Sequence, residues 1–155
     1  MFRKLTLAFA TVALSAGLAG QANAATSTVR LHTDANTARY LSDTASGVVS
    51  MDANSSSALQ RWIKTDTNSG YATYKNKSTG RCLTGRAPVG FPVVTSQKCV
   101  PGALNQQWRF GVVKDFQLRL NGAAAKHNTA GNGTGVLMAL FNGRNDMKWH
   151  THAAS

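Results

Sequence analysis

The side chains of this sequence that could bind a ligand are amides and carboxylates, several of them placed near tryptophans. Gln60 and Gln106 each stand two residues before a tryptophan, and Asn105 directly precedes the second glutamine. An amide donates and accepts hydrogen bonds, whereas an ionised carboxylate such as that of Asp43 only accepts them. Such groups can hold a neighbouring loop or a bound molecule, and the residues alone leave both uses open.

Enzymatic chemistry has little support in the sequence. There is no glutamate, and the six aspartates are spread singly, so the paired carboxylates of glycoside hydrolysis are not indicated. The Gly-x-Ser-x-Gly, His-Glu-x-x-His and phosphate-binding glycine motifs do not occur. We therefore expect a protein without catalytic activity and without a cofactor.

The histidines suggest a metal site only weakly. His150 and His152 would share one face of a strand, but no third ligand is evident and the pair lies close to the C-terminus. The sequence predicts a frayed tail there, with no bound metal. His32 and His127 stand alone, and we expect them at surface or turn positions.

The three tryptophans mark an internal repeat that would position these groups. Trp62, Trp108 and Trp149 recur at intervals of 46 and 41 residues, and each closes a similar succession of short strands and polar turns. Within the first two units, Arg39-Tyr40-Leu41 corresponds directly to Arg81-Cys82-Leu83. Self-similarity at this period is typical of repeat architectures. The three units span about residues 27–66, 67–112 and 113–152.

The predicted strands are short and are punctuated by glycine, asparagine, serine and aspartate, with no helical period after residue 24. Residues i and i+2 of a strand share one face, so Gln60 would point the same way as Trp62. We predict an all-β domain with pseudo-threefold symmetry. Its core would contain Trp62, Trp108 and Trp149, and the glutamines would lie nearer the rim.

These motifs are shared with a known family. They comprise Gln60-x-Trp62, Gln106-x-Trp108, Asn105-Gln106-Gln107-Trp108, Gly133-Thr134-x-Val136 and the pair Cys82 and Cys99. In them the chain resembles the ricin B-type β-trefoil lectins over about residues 27–152, although Met147 replaces the glutamine of the third unit. The resemblance implies a β-trefoil fold and sugar binding in shallow pockets, up to one in each repeat. Such domains commonly serve as targeting modules of enzymes or toxins.

The residues that the family uses in its pockets are only partly present. The resemblance implies a carboxylate at the positions of Ser42, Thr84 and Ala125, and none of these is acidic. It implies a stacking aromatic ring at the positions of Met51, Gln97 and Met138, and none is a ring. The asparagine before the Gln-x-Trp motif survives as Asn105, with Leu59 and Asp146 at the equivalent places.

The best carbohydrate-binding candidates follow from what remains of these pockets. Asp43 stands one residue after the expected carboxylate, which would turn it to the opposite face unless a turn or bulge intervenes. We expect a first-unit site around Asp43, Asn54 and Gln60, then a second-unit site with Asn105 and Gln106. Asn142 is the candidate in the third unit.

The N-terminal segment has the composition of an export signal. Arg3 and Lys4 precede an uncharged, apolar stretch over residues 5–20, and Ala22 and Ala24 form the small-x-small pattern of a cleavage site. The sequence predicts a signal peptide over residues 1–24 and a secreted domain over 25–155. No later segment is apolar enough to predict a membrane span.

The two cysteines fit this exported context. A secreted protein can keep a disulfide, and Cys82 and Cys99 are 17 positions apart. A bridge of that size would stabilise the fold by roughly 3 kcal/mol in the chain-entropy model. The rival use as a catalytic thiol would need a histidine base and an exposed, electropositive setting.

The charge suggests a second kind of function. The formal net charge is +11, with basic residues scattered along the chain. A positive field favours encounter with acidic partners and anionic surfaces without specificity. The alternative hypothesis is therefore a cationic trefoil protein, or a targeting subunit of a toxin or enzyme, that docks on an acidic protein or an anionic surface. Nucleic acid is a less favoured partner, because no recognition motif appears and Trp62 is needed in the core.

Overall fold

The structure is a computed structural model that describes residues 24–87, 89–90, 92–128 and 135–154. Except for Ala24, the predicted export signal lies outside these residues, as do Gly133 and Thr134. The described chain consists of short strands, turns and three 3-10 turns. Within it, no helix is long and apolar enough to cross a membrane.

The strands come in three groups of four. They are β1 (Thr26–Thr33), β2 (Arg39–Ser42), β3 (Ser50–Ala53), β4 (Trp62–Asp66), β5 (Ala72–Asn76), β6 (Cys82–Thr84), β7 (Thr95–Gln97), β8 (Trp108–Phe110), β9 (Phe116–Leu118), β10 (Ala124–His127), β11 (Val136–Ala139) and β12 (Trp149–Ala153). A 3-10 turn precedes the last strand of each group. These turns are Ala58–Gln60, Leu104–Gln106 and Asn145–Met147.

The first and last strands of each group form a barrel. The antiparallel order is β12, β1, β4, β5, β8 and β9. A bridge between Asp115 and Lys148, which directly precede β9 and β12, closes the circle. The middle strands of each group pair as hairpins, and isolated bridges join the three hairpins to one another. This is the predicted β-trefoil.

The three tryptophans occupy equivalent places in the core, where all three side chains are fully buried. A buried indole needs an acceptor for its N–H group. Each Nε1 donates to a backbone carbonyl of the first hairpin strand in its own unit. These bonds are Trp62 to Leu41 (2.9 Å), Trp108 to Leu83 (2.9 Å) and Trp149 to Ala125 (2.8 Å). The shared bond provides a structural alignment of the three units.

The sequence suggested that the glutamines lie on the same strands as the tryptophans, and this is wrong. Gln60 and Gln106 end 3-10 turns and are buried. The Oε1 of Gln60 accepts from the N–H of Ser55 at 3.0 Å, and its Nε2 donates to the carbonyl of Ala53 at 2.7 Å. The amide thus ties the loop after β3 to the end of that strand, because it bonds to the backbone of both.

The disulfide between Cys82 and Cys99 is present, as predicted. Cys82 begins β6 and Cys99 follows β7, so the bridge joins the two ends of the second hairpin. The described residues include no free cysteine.

The C-terminal segment is an ordered strand, and the prediction of a frayed tail is wrong. β12 pairs with β1 from Thr33 and Trp149 to Val29 and Ala153, which places His150 opposite His32. His32 and His127 are buried, so the expected surface positions are also wrong. The errors for the tail and for His32 arise because the first and third units meet across β1 and β12, a pairing of distant segments that local sequence does not reveal.

Candidate functional site

The alignment of the units by their tryptophan bonds changes one expected position. Leu41, Leu83 and Ala125 are equivalent because each accepts the indole bond. The residues that follow them are therefore equivalent too, and in the third unit this residue is Lys126. The expected Ala125 was wrong by one residue. A lysine stands where the resemblance implies a carboxylate.

The register of the hairpins corrects the expected aromatic positions in the same way. Gln97 pairs with Cys82, and the corresponding residues of the other hairpins are Asp52 and Ala139. Met51 and Met138 are one residue earlier and are buried in the core. None of the three equivalent positions, two of them corrected, has an aromatic ring.

The carboxylate of Asp43 is enclosed by donors. Asp43 is 1% exposed. Its Oδ1 accepts from the N–H of Thr44 at 2.8 Å and from the hydroxyl of Ser96 at 2.5 Å. The hydroxyl of Thr79 and the guanidinium of Arg81, with Nη2 at 3.1 Å from Oδ1, complete the shell. The carboxylate joins the first unit to the second and keeps little capacity for a ligand.

The other predicted residues lie at separate places on the hairpin end. Asn54 is exposed and its Oδ1 accepts from the guanidinium of Arg30. Asn105 is half-buried, and its backbone carbonyl accepts from the N–H of Gly85. Asn142 is exposed, with Oδ1 3.3 Å from the N–H of Arg144. In the first unit, Asp43, Asn54 and Gln60 thus direct their polar groups to three different neighbours.

Gln106 repeats the role of Gln60 in the second unit. Its Oε1 accepts from the N–H of Val100 at 2.8 Å, and its Nε2 donates to the carbonyl of Lys98 at 2.9 Å. A further bond from Nε2 reaches the hydroxyl of Thr84 at 3.2 Å. Met147 takes this place in the third unit and is fully buried. Because methionine has no amide, it cannot hold the preceding loop by hydrogen bonds.

The third unit contains a carboxylate of a different kind. Asp146 lies in the 3-10 turn before Trp149 and is 4% exposed. Neither of its carboxylate oxygens has a hydrogen-bond partner among the described residues. Its neighbours are ionic: Nζ of Lys126 at 3.8 Å and Nε of Arg144 at 3.4 Å from Oδ2. A buried acceptor without a hydrogen bond is unusual in folded proteins, which makes this carboxylate a candidate for ligand binding.

Asp146 borders an open cleft of about 470 Å³, whose described lining residues are Ala35, Arg144, Asn145 and Asp146. The N–H of Ala35 donates to the carbonyl of Asn145 at 3.2 Å, which fixes the wall between the first and third units. The cleft therefore combines one carboxylate with flanking cations. The described lining includes no aromatic ring. The sequence alone showed Asp146 as a departure from the family pattern. Lys126 could be identified only from the structural alignment of the three hairpins.

The histidines of the seam between β1 and β12 form a stacked cluster. The ring of His32 lies between those of His150 and His152, with centroids 5.2 and 4.7 Å away. The Nε2 atoms of His32 and His152 are 2.6 Å apart, so one ring donates a hydrogen bond to the other. Burial lowers the pKa of His32. Within the described chain, no group of three or more His, Cys, Asp or Glu side chains could hold a metal ion.

Solved structures similar to this chain were found, although no protein-family model and no curated protein sequence matches it. A designed threefold-symmetric protein, ThreeFoil, is 20% identical with a TM-score of 0.71, over 80% of this chain and 96% of the other. The β-trefoil lectin of the Vibrio vulnificus hemolysin/cytolysin, solved with N-acetyl-D-lactosamine, is 21% identical with a TM-score of 0.65, over 84% and 97%.

A mosquitocidal holotoxin is 14% identical with a TM-score of 0.73, over 84% of this chain. The chain spans only 18% of that toxin, so the match concerns one part of a much larger molecule. Similarities at these identities establish the β-trefoil fold and leave the function to be argued from the site.

Proposed function

We propose that this protein is a secreted, non-catalytic carbohydrate-binding domain of the lectin type, and that a sugar binds at the Asp146 cleft. One observation carries the proposal: Asp146 lines an open cleft, and neither of its buried carboxylate oxygens has a hydrogen-bond partner among the described residues. Burial of an unsatisfied polar group costs free energy. A ligand rich in hydroxyl groups would supply the missing donors.

The chemistry of the cleft suits a sugar. Two neighbouring hydroxyl groups of a pyranose can donate to the two oxygens of Asp146, while Lys126 and Arg144 can donate to other sugar oxygens. Asn142, whose side chain already contacts the backbone of Arg144, lies at the edge of this group. Because the described lining has no stacking ring, we expect the sugar to bind weakly and at this single site.

Further support is indirect. The Vibrio vulnificus lectin, whose fold this chain shares, is described with a bound disaccharide. The disulfide between Cys82 and Cys99 fits an oxidising compartment, and the N-terminal segment has the pattern of an export signal. The sequence offers no glutamate and no paired aspartates for hydrolysis, in accord with a binding function.

The experiment is a glycan array probed with the purified protein at high salt, which suppresses nonspecific attraction by the positive charge. The variant Asp146→Asn keeps the size of the side chain and removes its charge. Asp52→Asn makes the same change in the first hairpin and is the matched control. We expect the parent protein to bind a defined set of glycans and free sugar to compete with this binding. Asp146→Asn should lose the binding, and Asp52→Asn should keep it.

Two results would contradict the proposal. Absence of glycan binding by a folded, disulfide-bonded sample would remove the lectin function. Glycan binding that survives Asp146→Asn unchanged would remove the Asp146 cleft as the site. The folded state of each variant is checked by urea unfolding.

A second candidate is a cationic interaction protein that docks on an acidic partner. The turn after β8 exposes Val112 and Val113 beside Lys114, and we take this apolar and cationic segment as the candidate contact. Attachment of this kind would ignore free sugars and would collapse as salt rises. The same array, repeated at low and high salt, separates the two functions.

A further inference from the structure

A second cleft lies at the opposite end of the barrel from Asp146. β4 runs from the 3-10 turn at Gln60 to Asp66, so the turn that follows it is remote from the hairpins. This turn and β8 enclose a space of about 140 Å³, which we call the Tyr71 cleft. Its walls include Lys64, Asp66, Tyr71, Tyr74, Arg109 and Phe110.

Two arginines flank the ring of Tyr71. The Cζ atoms of Arg109 and Arg119 are 5.0 and 5.2 Å from its centroid, within the range of cation–π attraction. Hydrogen bonds orient both guanidinium groups. The Nη1 of Arg119 donates to Ser69 at 2.8 Å, and the Nε of Arg109 donates to Gln117 at 3.0 Å.

Arg109 keeps unused donors in this orientation. Its side chain borders the cleft, and neither of its terminal nitrogens has an acceptor among the described residues. The planar fork of an arginine matches the paired oxygens of phosphate and similar oxyanions. The cleft thus presents a preoriented group of the right geometry for an anion.

Tyr74 adds a buried donor to the same cleft. It is 1% exposed, and no hydrogen bond of its hydroxyl occurs among the described residues. Burial raises the pKa of Tyr74, with a smaller contribution from the nearby charge of Asp66, so the hydroxyl stays protonated at neutral pH. A protonated phenol can donate to an anionic oxygen.

The charge around the cleft favours an anion. Lys64, Arg109 and Arg119 are cationic, and Asp66 is the opposing carboxylate, with Oδ1 2.6 Å from Nζ of Lys64. The volume is well below the several hundred Å³ of a typical organic ligand site, so the cleft suits a small charged group rather than a sugar ring. The Tyr71 cleft is thus smaller than the Asp146 cleft and has one more cation around its single carboxylate.

From these observations we propose that the Tyr71 cleft binds a tetrahedral oxyanion, as the sulfate or phosphate ester of a larger molecule. Arg109 holds the ester oxygens with its terminal nitrogens, and the Tyr74 hydroxyl donates from the floor. The two esters share this chemistry, and the experiment distinguishes them. The site is independent of the proposed carbohydrate site at Asp146.

The test is calorimetric titration of the purified protein with glucose 6-sulfate and, separately, glucose 6-phosphate, with glucose as the uncharged reference and sodium chloride holding the ionic strength constant. We expect at least one ester to bind saturably at this cleft, and we expect glucose not to bind there. Arg109→Gln should weaken the affinity about fivefold, because it removes one charge-assisted contact at a partly exposed site.

Three further variants locate the binding. Lys98→Gln removes an equal charge from the exposed second hairpin, and it should leave the affinity unchanged. Tyr74→Phe deletes only the unpartnered hydroxyl, and it should weaken binding without loss of the folded state. Asp146→Asn should have no effect, which separates this site from the carbohydrate proposal.

The proposal is overturned if neither ester binds, or if Lys98→Gln weakens binding as much as Arg109→Gln does, since the general positive field would then explain the attraction. Arg109 is exposed, so its replacement is expected to fold; urea unfolding verifies this for each variant. A stronger effect for one ester identifies the class of the natural ligand.

Discussion

Asp43 and Asp146 are both buried aspartates of the hairpin end of the barrel, yet their surroundings differ completely. Asp43, in the first unit, accepts from a backbone N–H, two hydroxyl groups and a guanidinium. Asp146, in the third, has two cations nearby and no hydrogen bond among the described residues. A symmetric scaffold has thus produced one carboxylate that ties units together and one whose oxygens have no hydrogen bond within the described chain.

The glutamine positions show the same contrast. Gln60 holds the loop of the first unit, whereas Met147 packs into the small apolar cluster of the third. Polar residues that the family pattern associates with a pocket therefore serve the fold in the first unit. The difference teaches that a residue at a family's binding position must be judged by its hydrogen bonds, since a satisfied group has little left to offer a ligand.

The largest expected effect comes from Asp43→Ala. The change leaves Arg81, Ser96 and the N–H of Thr44 without their acceptor, and loss of one partner of a buried pair is strongly destabilising. We expect the free energy of unfolding to fall by about 3 kcal/mol. Urea unfolding at neutral pH measures it, and a loss below about 1 kcal/mol would show that Asp43 is not the tie described here.

The next largest effect is expected for Gln60→Met, which makes the first unit resemble the third. The replacement removes the acceptor of Ser55 and the donor to Ala53, so the free energy of unfolding should fall by about 2 kcal/mol. Gln106→Met tests the same exchange in the second unit. If both variants unfold like the parent protein, the loops do not depend on the amides.

A small effect on stability is expected for Asp146→Asn. Lys126 and Arg144 have substantial solvent exposure, with 29% and 65% of their side chains accessible, so neither is left as a buried unpaired charge. We expect the free energy of unfolding to stay within about 0.5 kcal/mol of the parent or to rise. A loss comparable to that of Asp43→Ala would mean that Asp146 also serves the fold.

The smallest effect is a pH dependence at the seam of the first and third units. Burial lowers the pKa of His32 below its ordinary value of 6.5, and the charges of His152 and His150 lower it further, against the carbonyl of Thr33 and the carboxylate of Asp34. The unfolded chain therefore binds a proton at higher pH than the folded one. Stability should be constant well above pH 6.5 and should decrease as the pH falls below it.

This pH dependence is checked by the urea midpoint at pH 7.5 and pH 5.5 for the parent protein and for His32→Gln. Tyr40 also packs edge-on against the ring of His32. The variant should show a smaller decrease between the two pH values. An equal decrease in both proteins would exclude His32 as its source.

Much of the fold could be predicted from the sequence, because the signals for it recur. Three tryptophans at a near-constant interval, each needing a buried place, indicated three equivalent units and a shared core. The register of the third hairpin could not be predicted in this way. Its first strand begins within a run of three alanines, Ala123 to Ala125. Their identical side chains do not distinguish one register from the next.

The site was less accessible than the fold for a physical reason. The sequence by itself determined the all-β repeat, the tryptophan core, the cysteine pair and the positive charge, since each depends on residue type and spacing. Only the tertiary structure decided which aspartate is enclosed by hydrogen-bond donors and which is not. The donors that enclose Asp43 lie up to 53 residues away, and the three histidines meet because β12 returns to β1. Hydrogen bonds between distant segments depend on the path of the whole chain, and no local pattern records them.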